Sequence, residues 1–152
     1  QGINKYDNVR VGLNSRLDTI QALVLLRKIE IFDEELELRE NISKYYNENL
    51  DGIVKIPKLE YNCKSSWAQY SILTRNEKER LELVSYLSKN NIPSVIYYKK
   101  PFNTLDIYKK INNRKFPISE MVSKTILSLP IHPYLSIEDQ KKIIKLIHKF
   151  YK

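Results

Sequence analysis

The chain has few of the residues that cross-link a protein or anchor it in a membrane. Cys63 is the single cysteine among 152 residues, so an internal disulfide is excluded and a reducing, cytoplasmic location is predicted. No apolar run approaches the ~20 residues of a membrane-spanning helix, and no signal peptide is visible. We therefore predict a cytoplasmic protein with no membrane partner.

Residues that bind metals or attack substrates are also scarce. The two histidines, His132 and His148, lie far apart in the chain without a carboxylate or cysteine pattern around them, so no metal site is predicted. Nothing near Cys63 suggests activation of its thiol, and an ordinary thiol is preferred over a nucleophile.

The composition is that of a folded, basic domain. Hydrophobic residues make up 42% of the chain, and its length suits one domain with its own core. The formal net charge of +8 raises nucleic acid as a partner. However, the basic residues are spread along the chain, and the densest cluster, within 141–152, partly follows helical spacing. A solvated helix face explains this cluster, so nucleic acid is not the predicted partner. A basic nucleic-acid-binding domain is kept as a rival hypothesis.

The stretch Gly12–Ala22 combines a glycine turn, polar side chains and a helix start. Ser15 is predicted to cap the helix, with Asp18 completing a variant of the capping box. Asn14 offers an amide donor, and Arg16 places a guanidinium in the first turn, against the helix dipole. The helix amides, Asn14 and Arg16 would together suit a phosphate or carboxylate. The alternative is a capped helix start with a solvated arginine.

Hydrophobic periodicity predicts a long helical stretch followed by a small α/β unit. Residues 15–50 contain no glycine or proline, which predicts one long helix or two helices with a bend near Ile31–Asp33. Later strands are predicted over 66–74, 93–98 and 125–129, and later helices over about 76–90, 105–111, 117–124 and from 136 onward. On the first of these helices Leu81, Val84 and Leu87 are predicted to share one face. The predicted fold class is α+β, a small antiparallel or mixed sheet with helices on one face.

Several motifs occur in the order of a known family. Residues 5–22 resemble the start of the C-terminal part of the DegT/StrS-type sugar aminotransferases, whose pattern runs Lys-Tyr, a spacer, Gly-x-Asn-x-Arg-Leu/Met-x-x-x-Gln-Ala and a long helix. Further matches cover nearly the whole chain: Arg39 with Tyr45 or Tyr46, Trp67–Ile72, Asn91–Pro93, Tyr97–Pro101 and Leu127–Pro133. The resemblance implies the aspartate aminotransferase fold and the cofactor pyridoxal 5′-phosphate.

The resemblance also implies how the chain is divided. Residues 1–14 would belong to a large domain, 15–50 would form a connecting helix, and 51–152 would form the C-terminal small domain. In the family, the lysine that forms the Schiff base, the aspartate that pairs with the pyridine nitrogen and most of the phosphate cup precede these motifs. No residue of this chain is therefore expected to be catalytic.

Four residues acquire expected binding roles from the resemblance. Asn14 would donate to the cofactor phosphate of the neighbouring subunit in a homodimer. Arg16 would meet an anionic group of the substrate, with an ion pair to the large domain as the alternative. Tyr98 and Asn103 would lie in the loop that borders the sugar pocket.

That loop also departs from the family pattern, which runs Tyr-Tyr-Pro-x-Pro-Leu-His. Lys99 replaces the first proline, and Phe102-Asn103 replaces Leu-His. The substrate contact of the family's histidine is therefore not carried over to this chain.

The implied function is the C-terminal part of an aminotransferase that acts on a nucleotide-linked keto-sugar, with glutamate as amino donor. Its product would serve a surface polysaccharide or a similar end product. The alternative is a non-catalytic remnant or interaction module that dimerises or binds an anionic partner. The sequence names neither the sugar, the nucleotide nor the aminated carbon.

Overall fold

The fold is a pair of consecutive helices followed by a small α/β unit. The computed structural model describes residues 17–109 and 114–152. Its elements in chain order are α1 (Thr19–Glu30), α2 (Phe32–Leu50), β1 (Tyr70–Leu73), α3 (Glu77–Lys89), a 3₁₀ turn (Phe102–Thr104), α4 (Asp106–Lys109), α5 (Pro117–Thr125), β2 (Ile126–Leu129) and α6 (Ile137–Tyr151).

The helical stretch predicted over 15–50 is two helices, in agreement with the bend alternative. Ile31 separates α1 from α2 with φ −115° and ψ 8°. Helix α1 begins at Thr19, where the Asp18 carboxylate accepts the backbone N–H groups of Ile20 and Gln21 at 2.9 and 3.1 Å. The prediction that Ser15 caps this helix is therefore wrong, because residues 17 and 18 precede its first turn in non-helical conformation. Ser15 itself lies outside the described residues.

The sheet is built around one antiparallel pair. Tyr70 of β1 lies opposite Leu129 of β2, and Leu73 lies opposite Ile126. Lys55 pairs with Leu73 on one side, and Val95 pairs with Ser128 on the other, each as a single bridge. The strand prediction over 125–129 is confirmed, and that over 66–74 is confirmed only for Tyr70–Leu73.

The strand predicted over 93–98 is wrong, since this segment makes only the bridge at Val95. Pro93 has no N–H group to donate to a ladder, and the chain turns at Tyr97 and Tyr98. The segment therefore leaves the sheet after one pair of hydrogen bonds, from Val95 to Ser128 and back, of 3.1 and 2.8 Å.

The core lies between the sheet and the helices α2, α3 and α6. Its fully buried large side chains include Tyr46 and Leu50 of α2, Leu87 of α3 and Ile147 of α6. The Tyr46 ring packs 5.0 Å from that of Tyr70, measured between centroids, and its hydroxyl donates to the carbonyl of Pro130 at 3.0 Å. Burial raises the pKa of both phenols well above the usual range.

Helix α1 stands apart from this core. It lies wholly within the described residues and has no buried residue. Its apolar side chains are half to three-quarters exposed: Ile20, Leu23, Val24, Leu25, Leu26 and Ile29. In the part of the chain that the structure describes, no helix has the length and apolar character needed to cross a membrane.

Candidate functional site

A cavity of about 450 Å³ lies between the segment 97–102 and helix α5. Besides 97–102, its lining consists of Leu105, Ser119, Val122, Ser123 and Ile126. A mostly apolar cavity with a few polar groups is the usual composition of a small-molecule site. We name it the loop–α5 cavity.

Hydrogen bonds fix the segment 97–102 at both ends. Before it, Val95 is hydrogen-bonded to Ser128 of β2. After it, the Thr104 hydroxyl and backbone N–H both donate to the carbonyl of Pro101, at 2.8 and 3.0 Å, and close the 3₁₀ turn. The buried Leu105 follows directly. The cavity wall is thus positioned by backbone pairing on one side and by a closed turn on the other.

Glu120 joins the loop to α5. One of its carboxylate oxygens accepts the Asn103 amide at 2.9 Å and the Phe116 backbone N–H at 3.3 Å. One turn further on, Ser123 donates to the Glu120 carbonyl at 2.8 Å and accepts, through its own carbonyl, the buried Arg80 guanidinium at 2.6 Å. These contacts orient the Ser119–Ser123 side of α5 towards the loop.

Two of the four predicted binding residues fall in this region. Tyr98 lines the loop–α5 cavity, is 60% exposed, and packs edge-on against the Tyr97 ring at 5.5 Å between centroids. Asn103 follows the cavity wall, and its amide is engaged by Glu120. Substrate contact by these two residues stays a prediction. Asn14 and Arg16 lie outside the described residues, so their binding roles stay predictions.

The sequence did not single out the other cavity residues as binding groups. In the sequence, Lys99 and Phe102 are departures from the family pattern, and a cation close to an aromatic in a loop is the signal that points to binding there. Ser119 and Val122 carry no such signal, because only the packing of α5 against the loop brings them to the cavity.

A second cavity, of about 400 Å³, borders Arg75, Glu79 and Tyr151. Glu79 accepts Arg75 Nε at 2.5 Å and the Tyr151 hydroxyl at 2.6 Å. Burial raises the pKa of Glu79, but the hydrogen bonds from Tyr151 and Arg75 outweigh it, and the pKa lies below the usual range. The polar groups thus satisfy one another, which marks this cavity as structural.

The loop–α5 cavity does not by itself fit pyridoxal phosphate. Among the described residues that line it there is no carboxylate to pair with a pyridine nitrogen. Lys99 and Lys100 are exposed, whereas desolvation in an apolar pocket is a usual way of activating a Schiff-base lysine. Within 17–109 and 114–152, no group of three His, Cys, Asp or Glu side chains is placed to hold a metal ion.

Comparison with known proteins identifies the class. The defining pattern of the DegT/DnrJ/EryC1/StrS aminotransferase family matches residues 1–148. The chain belongs to this family, which confirms the predicted resemblance.

Two curated relatives and one solved structure illustrate the match. The UDP-2-acetamido-2-deoxy-3-oxo-D-glucuronate aminotransferase of Pseudomonas aeruginosa is 35% identical over 140 residues, which are 91% of this chain and 38% of that protein. The dTDP-3-amino-3,6-dideoxy-alpha-D-galactopyranose transaminase of Aneurinibacillus thermoaerophilus is 30% identical over 147 residues, 96% of this chain and 40% of that protein. A crystal structure of a DegT DnrJ EryC1 StrS aminotransferase from Brucella abortus superposes with a TM-score of 0.83 at 49% identity, covering 99% of this chain and 40% of that one.

The chain thus spans about two-fifths of the length of these relatives. The superposition confirms the predicted fold class, a C-terminal portion of the aminotransferase fold. The cofactor prediction is confirmed at the level of the family, whose members use pyridoxal phosphate and whose solved structures include PLP and PMP forms.

Proposed function

We propose that the protein containing this chain is a pyridoxal-phosphate-dependent aminotransferase that transfers an amino group from glutamate to a keto-sugar linked to a nucleotide. The family match over residues 1–148 carries this proposal. The names of the two curated relatives, with UDP-linked and dTDP-linked sugars, support a nucleotide-sugar substrate.

In this proposal the chain supplies the small domain and part of a shared active site. Residues 1–14 belong to the large domain, and residues 15–50 connect the two domains. The exposed apolar side chains of α1 support this arrangement, since a packed large domain would remove them from water.

The binding residues then have separate tasks. Asn14 donates to the cofactor phosphate held by the partner subunit of a homodimer. Arg16 pairs with an anionic group of the substrate. Tyr98 offers a ring face to the sugar, and Asn103, whose amide is oriented by Glu120, contacts the substrate from the same loop. When bound, the cofactor supplies the electron sink for transamination.

The reaction is tested on the complete product of the gene that encodes this chain. The purified protein is incubated with pyridoxal phosphate, glutamate and a UDP-linked or dTDP-linked 3-keto-sugar, and 2-oxoglutarate release is measured. We expect release with at least one of these acceptors. Its absence with both would overturn the proposal and favour the non-catalytic interaction module.

The position of the Schiff-base lysine gives a second readout. Borohydride reduction in the presence of pyridoxal phosphate, followed by peptide mapping, should label a lysine outside these 152 residues. A specific label on a lysine within these 152 residues would contradict the proposal that the Schiff-base lysine lies elsewhere in the protein.

The role of Asn14 is tested by Asn14→Ala, with Asn8→Ala as the control in the same segment. Loss of the amide donor should speed cofactor loss on dialysis, and the control should retain cofactor like the parent protein. Equal retention by both variants would remove Asn14 from the phosphate site.

A further inference from the structure

Helix α1 is attached to the rest of the described chain at one narrow point. It has no buried residue, and it meets α2 at Ile31, whose ψ of 8° departs from the helical value of about −42°. A residue at the end of an element can absorb a change of φ and ψ, and the element beyond it then swings as a rigid body. The angle between α1 and α2 therefore depends on contacts made across Ile31.

One side chain of α1 reaches across this break. The Lys28 ammonium donates to the Glu35 carboxylate of α2. The two residues are seven positions apart, whereas side chains on a continuous helix meet at roughly three or four, so their contact depends on the angle between the helices. Among the residues that the structure describes, no other side-chain hydrogen bond joins α1 to another element.

Tyr134 adds a third part of the fold to this contact. Its hydroxyl donates to the same Glu35 oxygen, Oε1, at 2.7 Å, and the Lys28 ammonium lies 5.8 Å from the centroid of its ring. A cation within about 6 Å of a ring centroid is attracted by the π face. Tyr134 lies in the turn before α6, which the Leu135 N–H closes by donating to the His132 carbonyl at 3.0 Å. Lys28 therefore contacts one group from α2 and one from this turn.

The burial of Glu35 makes this arrangement selective for one angle. Its side chain is only 10% exposed, whereas that of Lys28 is 47% exposed. A buried carboxylate that loses its cation is left uncompensated, which costs more than the loss of an ion pair exposed on both sides. Rotation of α1 about Ile31 would withdraw Lys28 and leave Glu35 with the Tyr134 hydroxyl as its donor among the described residues.

We propose that the side chains of Lys28, Glu35 and Tyr134 form a latch that holds α1 at one angle to the α/β unit. The three come from three different parts of the fold, and every contact among them involves Lys28 or the buried Glu35. Loss of the Lys28 ammonium or of the Tyr134 hydroxyl should loosen the angle without opening the core, because neither residue belongs to the cluster of buried apolar side chains.

The angle of α1 matters for the active site, and this consequence rests on the proposed function. Two of the proposed binding residues, Asn14 and Arg16, precede α1 in the chain, whereas Tyr98 and Asn103 belong to the α/β unit. The latch lies between the two pairs in the chain. Because a misplacement of about 1 Å already weakens the joint action of such groups, a change in the angle would impair binding. The latch residues are thus positioning residues, which act through α1.

Distance measurements by double electron–electron resonance test the latch in the complete protein. Spin labels are attached at Gln21→Cys on α1 and Lys145→Cys on α6, both exposed, after serine has replaced the native cysteines, Cys63 included. Labelled chains are mixed with an excess of unlabelled chains, so that distances within one chain dominate. The parent protein should give one narrow distance distribution, and Lys28→Met and Tyr134→Phe should each widen it about twofold.

Three further variants separate the latch from general effects of substitution. Lys28→Arg should keep the distribution narrow, since arginine also donates to a carboxylate such as that of Glu35. Lys78→Met, at an exposed lysine that pairs with Glu82 within α3, and Tyr61→Phe, at a tyrosine that is 92% exposed, are the matched controls. Both controls should leave the distribution unchanged.

The kinetics of the same variants test the positioning role. With the UDP-linked or dTDP-linked 3-keto-sugar that the protein accepts, Lys28→Met and Tyr134→Phe should raise the KM several-fold and leave kcat nearly unchanged, because binding residues are displaced and reacting groups are not. A variant that is merely unfolded in part would instead lose kcat in proportion to the inactive fraction and retain its KM.

Two results would overturn the latch. One is a distance distribution that stays as narrow in Lys28→Met and Tyr134→Phe as in the parent, and the other is an equal widening by Lys78→Met. A widened distribution with an unaltered KM would overturn the positioning role. A parent protein without transamination, whose distribution nevertheless widens in the two variants, would reject the proposed activity alone.

Discussion

Glu35 is a buried carboxylate at the start of α2, close to the break after α1. It accepts a hydrogen bond from the Lys28 ammonium of α1 and one of 2.7 Å from the Tyr134 hydroxyl. The bond from Lys28, followed by that from Tyr134, holds the pKa of Glu35 below its usual value. This single residue therefore connects α1, α2 and the turn before α6.

The lowered pKa of Glu35 predicts a pH-dependent stability. A carboxyl group whose pKa is lower in the folded state stabilises the fold above its unfolded pKa, about 4.3, and this contribution is lost as the pH falls through the folded value. Glu35→Gln should therefore lower the melting temperature at pH 7, and the difference from the parent should shrink below about pH 4. Melting curves from pH 3 to pH 7 measure this.

Glu37→Gln is the matched control, because Glu37 is exposed on the same helix. The melting temperature of Glu37→Gln should equal that of the parent protein at every pH. If the difference in melting temperature between Glu35→Gln and the parent stayed constant down to pH 3, this would contradict the ionic role of Glu35.

At the scale of elements, α3 shows which side chains the core uses. Leu83 and Leu87 are fully buried, whereas Leu81 is 54% exposed. The sequence prediction of one face with Leu81, Val84 and Leu87 is thus wrong for Leu81. The helix contacts α5, α6 and β2, so its buried face is set by three neighbours and not by one apolar stripe.

Core truncation on α3 should reproduce this difference. Leu87→Ala should lower the free energy of unfolding by about 2–5 kcal/mol, because it removes buried methyl groups and leaves a cavity. Leu81→Ala should change it by less than about 0.5 kcal/mol, as exposed substitutions usually do. Urea unfolding curves of the two variants measure both values, and equal losses would show that the burial of Leu87 contributes nothing beyond helix propensity.

The start of α6 depends on one hydroxyl group. Ser136 Oγ accepts the Asp139 N–H at 3.1 Å and donates to the Asp139 carboxylate at 2.8 Å. Ser136→Ala should cost about 1 kcal/mol of stability through the lost cap. Ser85→Ala, at an exposed position inside α3, should cost nothing, since alanine favours helix. A loss of the same size in both variants would speak against the cap.

At the scale of the whole molecule, the apolar surface of α1 should control association. Soluble proteins rarely leave large contiguous apolar patches in water. We expect the 152-residue chain on its own to form oligomers at high concentration, measured by size-exclusion chromatography with light scattering. Leu23→Glu with Leu26→Glu should shift it towards monomer without lowering the urea midpoint, because both residues are exposed. Leu81→Glu should leave the oligomers intact, and a strictly monomeric parent chain would refute the expectation.

Much of the element pattern could be predicted because its signals act within one helical turn. Asn76 and Ser136 cap α3 and α6 through their side-chain oxygens, Gly52 follows the end of α2 with φ +78°, and Pro117 opens α5. Asn91 adopts φ 59°, a left-handed conformation that asparagine tolerates. Each of these signals depends on the hydrogen bonds or steric limits of a few neighbouring residues.

The wrong predictions, the strand over 93–98 and the Ser15 cap, have a different physical origin. The segment after Pro93 has strand-like residues, but whether it extends the sheet depends on β2, more than thirty residues away. Ser15 and Asp18 are both suitable caps, and the choice between them is a competition that composition does not decide.

The sequence by itself determined the family and the caps of α3 and α6, because motifs and local hydrogen bonds depend on consecutive residues. Only the tertiary structure decided where the cavity lies and which groups face it. Its two walls, 97–105 and 119–126, are separate in the chain and meet through Glu120 and the pairing of Val95 with Ser128. A binding site made from such distant segments depends on packing, and packing follows from all the contacts of the fold together.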